Sequence, residues 1–246
     1  MTWVLARICR HPIKAHGRED LASVLLSAGA CLPGDRRWAV ALEAARLVDG
    51  WNPCSNFHRG AKAPALMAIS SELEGDSVIL HHPERPDLRF RPDSPDDLPA
   101  FLEWLAPLSP PDRVQPARIV SAGRGMTDSP FPSVAILSNA SLRALSHLLG
   151  QDLSPHRFRG NLWIEGTTAF EEFDWIGRRL RIGQAVLKVE KRITRCAATQ
   201  VNPETGHPDA DTLTALKAHY GHRDFGIYAV VTEGGTVNLN DKVTLL

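Results

Sequence analysis

Short apolar runs separated by glycine and proline set the rhythm of this chain. Residues 3–10 alternate and are rich in β-formers, which predicts a strand ending at His11-Pro12, where proline withdraws a ladder donor. Residues 24–26 and 37–42 read as further strands. Between them Pro33-Gly34-Asp35 supplies a fixed φ and then conformational freedom, the ingredients of a turn. Ser77–His82 reads as another strand, entered through a Glu74-Gly75-Asp76 turn. Residues 134–137 are continuously apolar and predict a strand. Leu142, Leu145, Leu148 and Leu149 then follow at helical spacing, with Gly150 placed to stop the helix. From Leu162 onward short strands dominate, at 178–180, 185–190 and 228–232, and Thr212–Tyr220 reads as one helix of two to three turns. Many short strands with glycine turns and few helices predict a curled sheet or barrel. The class expected is α+β, mostly β.

One stretch breaks the rhythm. Residues 83–116 carry Pro83, Pro86, Pro92, Pro95, Pro99, Pro107, Pro110, Pro111 and Pro116, interrupted by a helix over 96–105 with Asp96 and Asp97 near its positive end. This reads as a surface connection rather than packed core. It divides the chain into residues 1–115, a β-rich N-terminal domain with its proline-rich connection, and residues 116–246.

Composition narrows the chemistry. The chain has 246 residues, 43% hydrophobic, with 28 basic against 28 acidic residues. That balance argues against a general binder of nucleic acid or of anionic membranes, while leaving room for a local cationic pocket. No apolar stretch approaches the length of a membrane span, and the first residues lack a charged leader followed by an apolar run. A cytoplasmic protein with free thiols is the expectation. Of the four cysteines, none forms a Cys-x-x-Cys pair, which disfavours zinc ribbons and the common cluster spacings. Cys9 and Cys31 lie in apolar runs and predict core positions; Cys54 lies in a loop. Cys196, in Thr194-Arg195-Cys196 at the end of a predicted strand, sits among cationic and amide-bearing residues. Such surroundings favour a thiolate, the form that binds a soft metal or carries sulfur.

A set of motifs resembles a known family. Arg157-Phe158-Arg159-Gly160-Asn161, Phe170-Glu171-Glu172, Trp175-Ile176-Gly177, Leu180-Arg181-Ile182-Gly183, Thr194-Arg195-Cys196, Val201-Asn202-Pro203-Glu204-Thr205-Gly206, Phe225-Gly226-Ile227-Tyr228 and Asp241-Lys242-Val243 occur in the order of the MOSC domain. That domain is the C-terminal module of molybdenum cofactor sulfurases and is also found in amidoxime-reducing proteins. His11-Pro12-Ile13-Lys14, Gly17 and Asp35-Arg36-Arg37-Trp38 resemble the β-barrel that precedes MOSC in those relatives. The resemblance implies a β-barrel MOSC domain packed with an N-terminal β-rich domain and a few short helices. It implies a molybdenum cofactor of the molybdopterin type, with Cys196 as the metal ligand, Lys14 and Arg36 on the cofactor phosphate, and Arg159, Asn161, Thr194 and Arg195 lining the site. It further implies reduction of N-hydroxylated or related N–O and S–O small molecules, with electrons from a ferredoxin- or flavin-type partner protein, since the chain has no cluster or flavin motif of its own. The alternative is a carrier of cofactor, or of sulfur as a Cys196 persulfide, without turnover. The chain departs from the family at Ala15, where relatives often carry a serine hydroxyl.

Elementary chemistry agrees with the implied site. A phosphate carries one to two negative charges, arginine offers a planar fork to it and lysine a point charge. His11 and His16 flank Lys14 within sequence reach of the same phosphate, but the expectation for all ten histidines is a satisfied or solvated ring rather than a ligand. His81 and His82 are neighbours and on a strand must face opposite sides. Glu171 and Glu172 likewise diverge, one buried and one solvated. Asp35 beside Arg36 is an ion pair that orients the arginine. Gly123-Arg124-Gly125 lacks the third glycine and the strand–helix frame of a dinucleotide fingerprint.

Overall fold

The computed structural model describes residues 2–246. Among them the elements run β1 (Trp3–Arg10), β2 (Glu19–Leu21), β3 (Ser23–Leu26), β4 (Trp38–Leu42), β5 (Ser70–Glu74), β6 (Ser77–His82), β7 (Arg85–Phe90), α1 (Leu98–Leu105), β8 (Pro116–Ser121), β9 (Val134–Ser138), α2 (Asn139–Leu149), β10 (Leu162–Glu165), β11 (Arg179–Ile182), β12 (Ala185–Thr194), α3 (Thr212–Tyr220), β13 (Asp224–Glu233), β14 (Gly235–Asn238) and β15 (Lys242–Leu245), with 3-10 turns between several of them.

Seven strands close a barrel in the order β10-β9-β13-β12-β11-β15-β1, and β1 returns to β10 to complete it. Closure removes the unpaired edges that an open sheet would expose. The pairing is antiparallel except β9 with β10, which run parallel; α2 makes the crossover between them. Helix α2 is well specified locally. The Ser138 hydroxyl accepts from the Ser141 N–H at its start, and Gly150 at φ 66° closes its end. Alternation sends Ile136, Ile164, Leu187, Ile227 and Ala229 into one barrel core, and a register shift between Leu5 and Arg7 lets both Leu5 and Ile8 of β1 join it.

A second core lies outside the barrel. Strands β4 and β8 pair with each other, β5-β6-β7 form a meander, and Ile13, Trp38, Val40, Leu66, Leu80, Phe90, Phe101 and Trp104 pack together beneath them. Here the proline-rich stretch corrects the expectation of a surface connection. Arg85–Phe90 is a strand, α1 begins at Leu98, and Phe90, Phe101, Trp104, Leu105 and Leu108 are buried. Proline is tolerated because Pro86 lies in the outer strand of the meander and Pro99 in the first turn of α1, two places where a missing N–H leaves no interior bond broken.

The two cores do not divide at 115/116. Strands β1 and β3 pair with strands from the far end of the chain, β2 pairs with β1, and β8 pairs back onto β4. The chain therefore crosses between the cores at residues 10–13, and that crossing carries Lys14 to the boundary between them. Among the described residues, no helix is long and apolar enough to cross a membrane, and all four cysteines are free.

Candidate functional site

Where the two cores meet, an open cleft of about 1000 Å³ is lined by Lys14, Arg36, Arg159, Asn161, Thr194, Arg195 and Cys196. All seven residues singled out in the sequence thus border one space, drawn from four distant segments. The cleft also takes in Cys54, Arg59, Thr127, Asp128, Arg157 and Tyr228.

Backbone geometry places the first cations. Ile13 is buried in the second core and bridges to Trp38, and the Lys14 N–H donates to the Trp38 carbonyl at 2.8 Å. Ala15, Arg36 and Arg159 all sit in the left-handed region, at φ 64°, 49° and 46°. That conformation costs a non-glycine residue about 1–2 kcal/mol, and here the surroundings hold it. The Arg36 N–H donates to the His11 carbonyl at 2.6 Å, the Arg36 carbonyl accepts from the Met126 N–H at 2.9 Å, and Arg159 caps a 3-10 turn over Pro155–Phe158. Gly160 has no room for a side chain, since a Cβ there would lie 2.3 Å from Leu137 Cδ1.

The cations differ in what neutralises them. Lys14 Nζ donates to the Met126 carbonyl at 2.9 Å and is ion-paired with Asp128. Against a desolvation cost, the Lys14 ammonium, then Arg36 and Arg195, hold the Asp128 carboxyl below its ordinary range. Arg36 is ion-paired with buried Asp35 and also donates to the Arg159 carbonyl at 2.8 Å. Burial works to lower its guanidinium, but the Asp35 and Asp128 carboxylates prevail and raise it. Asp35 is held far below the usual carboxylate range; burial opposes this and Arg36 and His11 overcome it. Arg195 instead spends its donors on carbonyls, from Nε and Nη2 to Phe225 at 2.8 and 2.5 Å and from Nη1 to Phe158 at 2.8 Å. It rests against the stacked Phe158 and Phe225 rings, and burial pushes it down to about 10. Arg159 has only a long 3.5 Å contact to the Ile13 carbonyl. Burial, and then the like charge of Arg36, push it down to about 9.

Other expected residues reach the cleft with their polar atoms already engaged. Asn161 Oδ1 accepts from the Ala135 N–H at 3.0 Å and its Nδ2 donates to the Cys9 carbonyl at 3.2 Å, so it ties β1, β9 and the turn before β10 together. The Thr194 hydroxyl donates to Asp224 at 2.6 Å. Cys196 lies two residues past the end of β12, in extended backbone at the start of a 3-10 turn; it is exposed, and its sulfur makes no hydrogen bond among the described residues.

The remaining residues weighed from the sequence take distinct places. His11 and His16 are fully buried and do not border the cleft. His11 is bound to Asp35, and His16 faces the Lys14 carbonyl at 2.7 Å and His58 at 3.2 Å. Pro12, Ile13 and Gly17 beside them are buried as well, so this whole turn of the chain is packed inside while Lys14 and Ala15 border the cleft. Cys54 is half-buried on the cleft wall, where Arg59 Nη1 donates to its sulfur at 3.0 Å. Glu172 is buried and accepts from the Ser141 hydroxyl at 2.9 Å; burial raises its carboxyl to about 7, and Glu171 is partly exposed. The sequence reading gave no role to Asp128 or Tyr228. For Tyr228 a signal existed: Ile227 and Ala229 face the barrel core, so strand alternation turns Tyr228 to the opposite face.

A MOSC domain model matches residues 126–244. The chain is 27% identical to mitochondrial amidoxime-reducing component 1 of Danio rerio, over 82% of this chain and 70% of that protein. It is 34% identical to mitochondrial amidoxime-reducing component 1 of Mus musculus, over 48% of this chain and 37% of that protein. It is 35% identical to the molybdenum cofactor sulfurase of Drosophila grimshawi, over 38% of this chain and 12% of that protein. The chain thus spans well under half of the latter two.

Proposed function

Residues 126–244 of this chain are a MOSC domain, and from that premise we propose that the cleft binds a molybdenum cofactor and reduces N-oxygenated small molecules. The observation that carries this reading is the convergence on one cleft of Lys14 and Arg36, from the opening of the chain, with Arg159 and the exposed sulfur of Cys196.

The residues present fit such a group. A phosphate needs a cationic seat, and Arg159 is a cation without a carboxylate partner beside two that have one. A soft metal needs a thiolate ligand that it can reach, and Cys196 is exposed on the cleft. Ala15 brings no hydroxyl, so the burden of holding the phosphate falls on Lys14, Arg36 and Arg159. When bound, the metal centre would supply two-electron transfer. The protein's own contribution is to hold the anion, to offer the sulfur ligand, and to leave the cleft open for a substrate. Because Asp128 occupies the Lys14 ammonium, an arriving phosphate must share or displace that carboxylate. Electrons would come from a partner protein, since no motif in the chain holds a flavin or a cluster.

Protein made in a host competent for the cofactor should carry molybdenum and pterin, and Cys196→Ser should lose most of the molybdenum while keeping its melting temperature. Equal metal in the two proteins rejects Cys196 as the ligand. A second reading is favoured by the same exposed sulfur: the Cys196 thiolate takes the outer sulfur of a donor protein's persulfide, releasing the donor's thiolate, and passes it on. Reduction of an N-hydroxylated substrate by the loaded protein with a reduced dye would exclude a carrier-only role.

A further inference from the structure

The hydroxyl groups of the cleft fall into two sets. The Thr127 and Ser133 hydroxyls lie 3.2 Å apart and both bond Ser129. The Thr194 hydroxyl is given to Asp224, and that of Thr199 to the Cys196 carbonyl and to Thr212. Tyr228 stands alone. It borders the cleft, and its hydroxyl makes no hydrogen bond among the described residues, nor is it sealed from solvent. Among the described residues it is the one neutral hydroxyl donor on the wall with nothing to donate to.

Its placement is that of a fixed group. Tyr228 lies in β13, a barrel strand, opposite Ala135 of β9 and Lys191 of β12. The Phe131 ring meets its ring edge-on, with centroids 6.5 Å apart. A site carried on a barrel strand is held more rigidly than one on a loop. Burial, and then the Asp128 charge, push its hydroxyl up to about 12, so it keeps its proton throughout the neutral range and serves as a donor.

The cations have other work: a phosphate would claim Arg159, Lys14 and Arg36, and Cys196 would be taken by the metal. A neutral N–O oxygen arriving in the remaining space needs a donor, and an uncharged hydroxyl provides one without drawing in competing anions. We propose that Tyr228 is the substrate-orienting hydrogen-bond donor of this cleft and holds the oxygen of an N-oxygenated substrate. This rests on the reading of the cleft given above.

The test uses cofactor-loaded wild type and Tyr228→Phe, which keeps the ring and its packing on Phe131. Two probes are compared in the oxidised protein by calorimetry: an aryl amidoxime, and the corresponding amidine, which lacks the oxygen. Loss of one hydrogen bond predicts about tenfold weaker amidoxime binding, with amidine binding, molybdenum content and melting temperature unchanged. With a reduced dye as donor, kcat/KM for the amidoxime should fall by about the same factor. Equal amidoxime affinity in the two proteins overturns the proposal. So does an equal loss for amidoxime and amidine, which would mark a packing effect, and so does a wild type that binds neither probe. A wild type that binds the amidoxime without reducing it defeats the enzymatic reading alone, and the ratio of affinities still decides the role of Tyr228.

Discussion

The two walls of the cleft handle positive charge in opposite ways. On the wall built from the opening of the chain, Lys14 and Arg36 each have a carboxylate, from Asp128 and Asp35, and the pairs are locally neutral. On the barrel wall, Arg195 is tied to carbonyls and Arg159 has almost no partner. Burial leaves the barrel-wall guanidinium groups lowered to about 10 and about 9, while Arg36 is raised. A charge that is buried and uncompensated is costly, and a bound anion relieves that cost. An anion therefore gains most at Arg159, which has no carboxylate within ion-pair distance among the described residues.

The largest effect is expected at Arg159. Arg159→Met should weaken binding of inorganic phosphate to the cofactor-free protein about thirtyfold, measured by calorimetry, because a charge-assisted contact contributes about 2 kcal/mol. Affinity equal to wild type would mean that the early wall supplies the seat instead. Arg159→Lys should recover part of the loss, since charge is restored without the planar fork.

The opposite sign is expected across the cleft. Asp128→Asn frees Lys14 from its competing carboxylate and should tighten phosphate about three- to fivefold, in the range of a partly exposed ion pair. Trp51 Nε1 donates to the Thr127 carbonyl at 3.1 Å, next to Asp128, so tryptophan fluorescence should report movement of that loop when phosphate binds. A weaker affinity in Asp128→Asn would show the carboxylate to be a support for Lys14 rather than its rival.

The buried acids sharpen the contrast without touching binding. Asp35 has Arg36 and His11 and is lowered; Glu172 has one Ser141 hydroxyl and is raised to about 7. A raised acid binds more protons folded than unfolded, so its contribution is present below the unfolded pKa of 4.5 and is lost as pH rises through about 7. Wild type should therefore lose on the order of 2 kcal/mol relative to Glu172→Gln between those limits, by denaturant titration. Parallel stability curves would reject this, and phosphate affinity should be the same in both proteins at every pH.

How much of this was legible in the chain depends on the range of the interaction. Ser77–His82 and Thr212–Tyr220 were readable because their periodicity and punctuation are local. Arg85–Phe90 was not: its proline argues against a strand, and only the partner strand β6 and the buried Phe90 overrule that. The residues bordering the cleft were named from motifs, yet the same motifs could not say which of them had atoms to spare. Asn161 and Arg159 are two positions apart; one spends its amide on Ala135 and Cys9, and the other is free.

Local patterning in the chain set the clearly punctuated strands and helices and the mostly-β class, composition set the lack of any large net charge, and motifs named seven of the residues that border the cleft. Tertiary structure alone decided that β1 closes a barrel with strands more than 150 residues away, that His11 and His16 turn inward, that Asp128 answers Lys14, and that Tyr228 faces the cleft with an idle hydroxyl. The reason is physical. Periodicity records what each residue does relative to its own backbone, whereas charge compensation and hydrogen-bond availability depend on which distant atoms arrive beside it.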